Sequence, residues 1–249
     1  MSETRLITEE ILDQAIAAAK LGHVNGLTYD QSSWCGTACC VLGFARYLAG
    51  LEEVNRGPGD DEFAESPRIR TIRTLMRCGS PAILMIMERV TPDGKIVLTG
   101  ADLTGVDLTG VDLTDAVLTD ADLTDAGLTG VDLTGADLTG AVLTDAVLTD
   151  ADLTGAVPTD AVLTGAVLRR ADLRRADLRR ADFTDAVLTG ADLRRADLRH
   201  ADFTRAVLTR AVFTGAVLTG ANLTRARHWT GSNYTAVTPE WLREKGAIL

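Results

Sequence analysis

From Leu98 to Leu223 a large apolar residue returns at every fifth position without a slip, 26 times in all, with Phe in place of Leu at 183, 203 and 213 and Pro at 158. The stretch "ADLTGVDLTGVDLTDAVLTD", residues 101–120, shows the phrase: a small aliphatic residue, then Asp, Val or Asn, then the large residue, then Thr or Arg, then Gly, Asp or Arg. A period of five fits neither the helical repeat near 3.6 nor strict strand alternation, so an amphipathic helix or a flat hairpin sheet would bury no consistent face. A coil with one phrase per side solves this. The large residue and the small residue two before it point inward, and the other three positions face water. Ala, Val and a single Ile fill the second inward position, which suits a narrow axis where large and small side chains interlock. If such a coil is four-sided and its turns stack at the strand spacing of about 4.8 Å, the repeats make a rod roughly 30 Å long in which residues 20 apart lie above one another.

The A-D/N-L-x-x phrase over residues 96–225 resembles the pentapeptide-repeat family. That resemblance implies a mainly β fold, a right-handed quadrilateral (four-sided) parallel β-helix solenoid. Pro158 stands at an inward position, where it removes an N–H and a Leu-sized volume; a local kink or loosened coil is expected there.

The flanks differ in composition. Residues 1–95 predict an α-helical N-terminal domain. Thr8 is placed to cap a helix that opens with Glu9 and Glu10 and ends near Gly22, and another helix is expected from about Thr37 to Leu48. Ser66-Pro67 and Ser80-Pro81 each set a capping hydroxyl before a proline at a first helical position, with Gly79 closing the helix between them. Residues 226–249 predict a C-terminal cap with a short helix after Thr238-Pro239, stopped by Gly246. Trp229, Tyr234 and Trp241 all follow the last repeat. The end of a β-helix exposes apolar side chains and unpaired edges, so both flanks have a capping role to fill. In several members of the family the C-terminal end also forms a dimer, so the resemblance implies a homodimer contact through this cap. "MSETRLITEEIL" lacks the apolar core of a signal peptide and no stretch approaches a membrane span, so a soluble, cytoplasmic bacterial protein with no membrane partner is expected.

Conventional chemistry is sparse. "WCGTACC" brings Cys35, Cys39 and Cys40 together, but not at zinc-ribbon spacing. Three readings stand: buried packing, metal binding, or a thiol at Cys39 activated by a helix N-terminus. This C-G-T-x-x-C segment resembles one that precedes the repeats in other pentapeptide-repeat proteins. The repeated Asp before the apolar residue reads as a polar turn position rather than a calcium loop. Catalysis needs unlike groups converging in a pocket, which a convex rod of one phrase does not offer, so neither an enzyme nor a cofactor is expected.

Function is therefore expected on the outer positions, where the chain varies. At 20-residue spacing Asp112, Asp132, Asp152, Asp172 and Asp192 stack in a carboxylate ladder, Val147, Val167, Val187 and Val207 form an outward stripe, and Phe183 and Phe203 share an inner column. The formal net charge is −10, unevenly spread. Residues 96–165 contain 13 Asp and no Lys or Arg, whereas residues 166–225 contain 12 Arg against seven Asp. The candidate acidic surface is Asp102, Asp107, Asp112, Asp115, Asp120, Asp122, Asp132 and Asp152. The candidate basic surface is Arg169, Arg170, Arg174, Arg175, Arg179, Arg180, Arg194 and Arg195. In "RRADLRRADLRRADF" local Arg–Asp bridging is expected, with Asp185 beneath Arg205, which dilutes any attraction to nucleic acid; direct nucleic-acid binding is not expected. An unidentified protein partner is the leading expectation. The family contains quinolone-resistance members that mimic duplex DNA and bind type II topoisomerases, so the resemblance also implies DNA gyrase or topoisomerase IV as partners for the acidic half.

Overall fold

In this computed structural model, residues 23–24, 27–28, 86 and 89–249 are described. The chain divides into two units, Met1–Ile96 and Val97–Leu249.

In the first unit β1 (His23–Val24) pairs antiparallel with β2 (Leu27–Thr28) in the register His23 to Thr28. The Asn25-Gly26 dipeptide between them is the sequence signature of a tight hairpin. Ile86 is helical and buried. Val90 then bridges Ile96 across Thr91-Pro92-Asp93-Gly94, where Gly94 takes φ 84° and the Thr91 N–H donates to the Lys95 carbonyl at 2.9 Å. The expected helices from Thr8, over Thr37–Leu48 and after Ser66 lie outside the described residues, as do Cys35, Cys39 and Cys40.

The second unit is the coil. Each phrase closes a turn in which the carbonyl of the apolar residue accepts the N–H three residues on, as Leu113 does from Ala116 at 3.0 Å. The residue at the turn's third position sits at positive φ, from 55° at Asp115 to 75° at Gly220. Glycine takes this conformation without a Cβ clash and Asp tolerates it; the arginines there, Arg170 and Arg175 among them, hold it because the coils above and below impose it. Three backbone bonds per phrase tie successive coils. The Leu113 N–H donates to the Asp132 carbonyl (2.7 Å), Asp115 to Thr134 (2.9 Å) and Asp132 to Val111 (3.0 Å). The pairing is parallel and 20 residues apart from Val97–Val117 to Val207–Arg227, with one gap at Val157–Asp177, so one coil is four phrases.

Leu and Ala columns fill the interior, buried almost without exception between Leu98 and Leu218. Phe183 and Phe203 stack with centroids 4.9 Å apart and planes 4° from parallel, as the inner column predicts. Pro158 is buried and the coil runs through it unbroken: the Val157 N–H still reaches the Ala136 carbonyl (2.8 Å) and Asp160 still reaches Arg179 (3.0 Å). No kink forms, and the expected loosening is confined to the Val157–Asp177 bridge, which is missing from the 20-residue series. The physical reason is that proline's fixed φ suits an extended position and only one donor is lost. The orphaned acceptor, the Asp177 carbonyl, takes the Thr159 hydroxyl instead at 3.3 Å.

The C-terminal cap has more parts than its expected helix. β3 (Arg227–Trp229) continues the coil and pairs antiparallel with β4 (Tyr234–Ala236). Helix α1 (Pro239–Glu244) follows, its Thr238 hydroxyl accepting the Trp241 N–H at 3.2 Å. Trp241 meets Phe213 edge-on at 6.1 Å and Leu242 is fully buried, so α1 packs against the last apolar column. Past Gly246 the chain pairs Ile248 with Val217 in parallel, adding a strand to an edge that would otherwise be open.

Candidate interaction surface

The outer surface follows from the phrase. On the side built over Leu113, Leu133, Leu153, Leu173, Leu193 and Phe213, the preceding residues Asp112, Asp132, Asp152, Asp172 and Asp192 bridge in series and form the expected carboxylate ladder. Two kinds of Asp are present. Those before the apolar residue use Oδ1 to accept the N–H two residues on: Asp102 from Thr104 (3.1 Å), Asp107 from Thr109 (3.0 Å), Asp112 from Thr114 (3.0 Å), Asp122 from Thr124 (3.0 Å), Asp132 from Thr134 (2.9 Å) and Asp152 from Thr154 (2.9 Å). These are Asx turns, and one carboxylate oxygen of each is thereby committed to the fold. The second kind stands at the positive-φ corner, as Asp115 and Asp120 do. Asp102, Asp107, Asp112, Asp115 and Asp120 are exposed, while Asp122, Asp132 and Asp152 are half-buried.

The arginines are more extensively paired than sequence reasoning anticipated. Asp185 does lie beneath Arg205 and binds it through Nε at 2.7 Å. By the same 20-residue step Arg170 reaches Asp150 and Arg180 reaches Asp160, crossing from the basic coils into the acidic ones. A second kind of pair lies within one phrase: Arg174 with Asp172 (2.5 Å), Arg179 with Asp177 (2.7 Å), Arg194 with Asp192 (2.5 Å) and Arg199 with Asp197 (2.5 Å). The signal for these was the A-D-L-R phrase itself: the Asx turn in which the Asp Oδ1 accepts the N–H two residues on, as Asp172 does from Arg174 at 3.1 Å, brings the Asp and Arg side chains together. Arg170, Arg205 and Arg199 hold Asp150, Asp185 and Asp197 below the ordinary carboxylate range, each chiefly through its hydrogen bond. Of the eight candidate basic residues, Arg170, Arg174, Arg179, Arg180 and Arg194 are ion-paired, and Arg169, Arg175 and Arg195 have no ion pair among the described residues.

The valine column is continuous from Val147 to Val207, but its exposure falls from 38% to 9% along the rod, so it is no uniform apolar stripe. Beyond it Trp229 and Tyr234 are exposed and meet edge-on at 5.2 Å, with the Arg227 guanidinium 5.0 Å from the Tyr234 ring. Among the described residues no group of three or more His, Cys, Asp or Glu is placed to hold a metal ion, and no helix is long and apolar enough to cross a membrane.

This geometry, a parallel coil of four five-residue sides with Asx turns and positive-φ corners, defines a solenoid of pentapeptides. The sequence profile described as Pentapeptide repeats matches residues 96–135, 128–157, 159–195 and 191–227, more than half of the chain. The chain belongs to the pentapeptide-repeat family, whose members form right-handed quadrilateral β-helices. Among solved structures it is similar to HetL, a pentapeptide-repeat protein involved in heterocyst differentiation regulation from the cyanobacterium Nostoc sp. strain PCC 7120, with 36% identity over 52% of this chain and 69% of that one (TM-score 0.37). It is also similar to a trypsin-treated form of QnrB1, a plasmid-mediated fluoroquinolone resistance protein, at 17% identity over 53% of this chain and 71% of that one (TM-score 0.45). A third is a pentapeptide-repeat protein of the Arabidopsis thaliana thylakoid lumen, at 34% identity over 42% and 63% (TM-score 0.20). No curated protein sequence matches the chain.

Proposed function

We propose that this protein is a non-enzymatic scaffold whose acidic coils present ordered charge to a protein partner. The observation that carries the proposal is the carboxylate-bearing surface from Asp102 to Asp152, in a stretch that contains no Lys or Arg between residues 97 and 165. A rigid ladder loses little conformational freedom on binding, and carboxylates whose positions are fixed by Asx turns offer a basic partner a preset pattern. Asp102, Asp107, Asp112, Asp115 and Asp120 lead this surface because they are exposed; Asp122, Asp132 and Asp152 extend it.

A second reading names the partner: mimicry of duplex DNA toward DNA gyrase or topoisomerase IV. Carboxylate density favours it. Setting aside Asp150 and Asp160, which arginines engage, the acidic coils carry a carboxylate per ~1.5 Å of axis, against a phosphate per ~1.7 Å in B-DNA. Direct binding of nucleic acid is not part of either reading, and both are consistent with a cytoplasmic bacterial protein that dimerises through its C-terminal cap. The decisive experiment measures gyrase supercoiling against increasing purified protein, beside a version with Asp102 to Asp152 changed to Asn. Inhibition by the native chain alone supports mimicry. No effect at micromolar protein removes gyrase and leaves the scaffold reading to affinity capture, where a partner retained by the native chain and lost by the Asn version would support it.

A further inference from the structure

Of the seven arginines at positive-φ corners, three stand over an Asp, Arg210 stands over Gly190, and one column alone stacks two arginines with no Asp beneath. Arginines at positive-φ corners stand over an Asp 20 residues earlier in three columns: Arg170 over Asp150, Arg180 over Asp160 and Arg205 over Asp185. In the fourth, Arg175 stands over Gly155 and carries Arg195 above it, with Gly215 above that. Neither guanidinium has an ion pair among the described residues. Arg225 also stands over a corner arginine, but that one, Arg205, is engaged by Asp185. Their backbones are one coil, about 4.8 Å, apart, and two like charges carried on adjacent coils of one column repel each other. The space beneath Arg175 is open: a Cβ built on Gly155 would meet nothing within 4 Å.

Around this column lies a groove of about 490 Å³ lined by Thr154, Arg174, Arg175, Arg194, Arg195 and Thr214. Arg174 and Arg194 are held in place by Asp172 and Asp192, which engage them through Nε at 2.7 and 2.9 Å. A guanidinium has five N–H donors, so each retains others for a ligand. Two anchored and two uncompensated guanidinia thus face one concavity with two threonines on its walls. The backbone N–H groups of Arg175 and Arg195 are already used by the Arg194 and Thr214 carbonyls, so recognition would fall to side chains.

We propose that this groove is an oxyanion site that takes a phosphate group, bridged between Arg175 and Arg195. A phosphate dianion relieves the repulsion in the column and presents several acceptor oxygens to guanidinium forks one coil apart, a match that a single carboxylate meets less fully. The site lies mainly on the basic coils and borders the acidic surface at Thr154, whose N–H donates to Asp152, but it does not rest on the reading given for that surface. Its ligand is free phosphate or a phosphorylated side chain of a partner.

The test titrates the full-length protein at low salt with inorganic phosphate and, separately, with a phosphoserine peptide and its unphosphorylated form, followed by calorimetry and by NMR of the arginine Nε–H groups. Saturable binding that shifts the Arg175 and Arg195 signals is expected, with at least a tenfold loss of affinity in R175Q/R195Q. G155D is the sharper variant: it sets a carboxylate beneath Arg175, as Asp150 sits beneath Arg170, in a backbone conformation that Asp already adopts at Asp150, where φ is 59°. It should abolish binding, whereas G130D, which adds the same charge at another corner, should leave it intact. Binding of phosphate itself assigns the site to a free anion, and binding of the phosphopeptide alone assigns it to a modified partner. No saturable binding of either, equal losses in G155D and G130D, or equal affinity for the unphosphorylated peptide would overturn the proposal.

Discussion

Pro158 offers the most direct test of how this coil is held together. In its neighbours the apolar residue donates its N–H to a carbonyl in the next coil: Leu153 to Asp172 (2.7 Å), Leu163 to Asp182 (2.7 Å) and Leu178 to Asp197 (2.8 Å). Pro158 has no N–H, and the Asp177 carbonyl receives the Thr159 hydroxyl at 3.3 Å. Pro158→Leu restores the donor, about 1 kcal/mol net, and adds roughly one buried methylene, ~0.8 kcal/mol. Against this, the unfolded chain regains freedom that proline denied it, ~0.4–1 kcal/mol. The expected result is a stabilisation of about 1 kcal/mol. Thr159→Val should cost ~1–2 kcal/mol in the native background, because it leaves a part-buried acceptor unpaired, and close to nothing when combined with Pro158→Leu. The coupling is best read locally, since repeat arrays need not unfold in one step: hydrogen exchange of the Asp177 N–H, which donates to the Ala156 carbonyl at 2.9 Å, reports on this coil. Equal costs for Thr159→Val in the two backgrounds would refute the compensation, and a destabilising Pro158→Leu would refute the accounting of the ladder.

Other outcomes follow from the same geometry. Changing Phe183 and Phe203 to Leu singly and together should reveal a coupling of ~0.5–1.5 kcal/mol in a denaturation cycle, the contribution of stacking beyond area. Asp132→Asn should be tolerated, because Asn222 already accepts the Thr224 N–H at 3.0 Å in the same role, whereas Asp132→Ala should lose ~0.5–1.5 kcal/mol in urea unfolding. Acid should destabilise the Arg-rich coils: Asp150, Asp185 and Asp197 have folded values below the ordinary 3.8, so their contribution is complete above that value and is lost as pH falls through the folded one, visible as a drop in melting temperature below about pH 4. Truncation after Ala226 removes the strands that pair with Val207 and Val217 and should, by opening those edges, give species larger than the full-length protein on size exclusion; a truncated chain that runs as a monomer would contradict the edge argument and fit loss of the cap-mediated dimer instead.

The coil was legible in the sequence because its constraint is repeated in register: a five-residue apolar period admits few ways to bury every Leu, and once the family resemblance supplies four phrases per coil, the 20-residue columns of Asp112, Val147 and Phe183 follow by counting. What the period does not encode is how a single exception is absorbed. Pro158 read alone predicts a kink; the rescue by Thr159 depends on a hydroxyl beside a carbonyl 18 residues later in sequence. The cap was half legible for a similar reason. Thr238-Pro239 and Gly246 mark the helix locally, but the pairing of Ile248 with Val217 is a long-range contact with no local signature.

The charge pattern shows the same division between what counting yields and what geometry decides. By composition the second half of the repeat array has an excess of five positive charges, 12 Arg against seven Asp. In the coil, seven of those arginines are engaged by an Asp either two residues earlier or 20 residues earlier, and two of the carboxylates they engage, Asp150 and Asp160, belong to the acidic stretch. Exposed pairs of this kind add little stability, so their main effect is on the field that the surface presents. They quench much of the basic coils, leaving Arg169, Arg175, Arg195, Arg210 and Arg225 without an ion pair among the described residues, and they draw the edge of the acidic surface back toward Asp152. A partner approaching the rod therefore meets an acidic face that is nearly continuous and a basic one reduced to isolated sites, and recognition of the two should differ in kind: extended and salt-sensitive on the first, local and stereochemically demanding on the second.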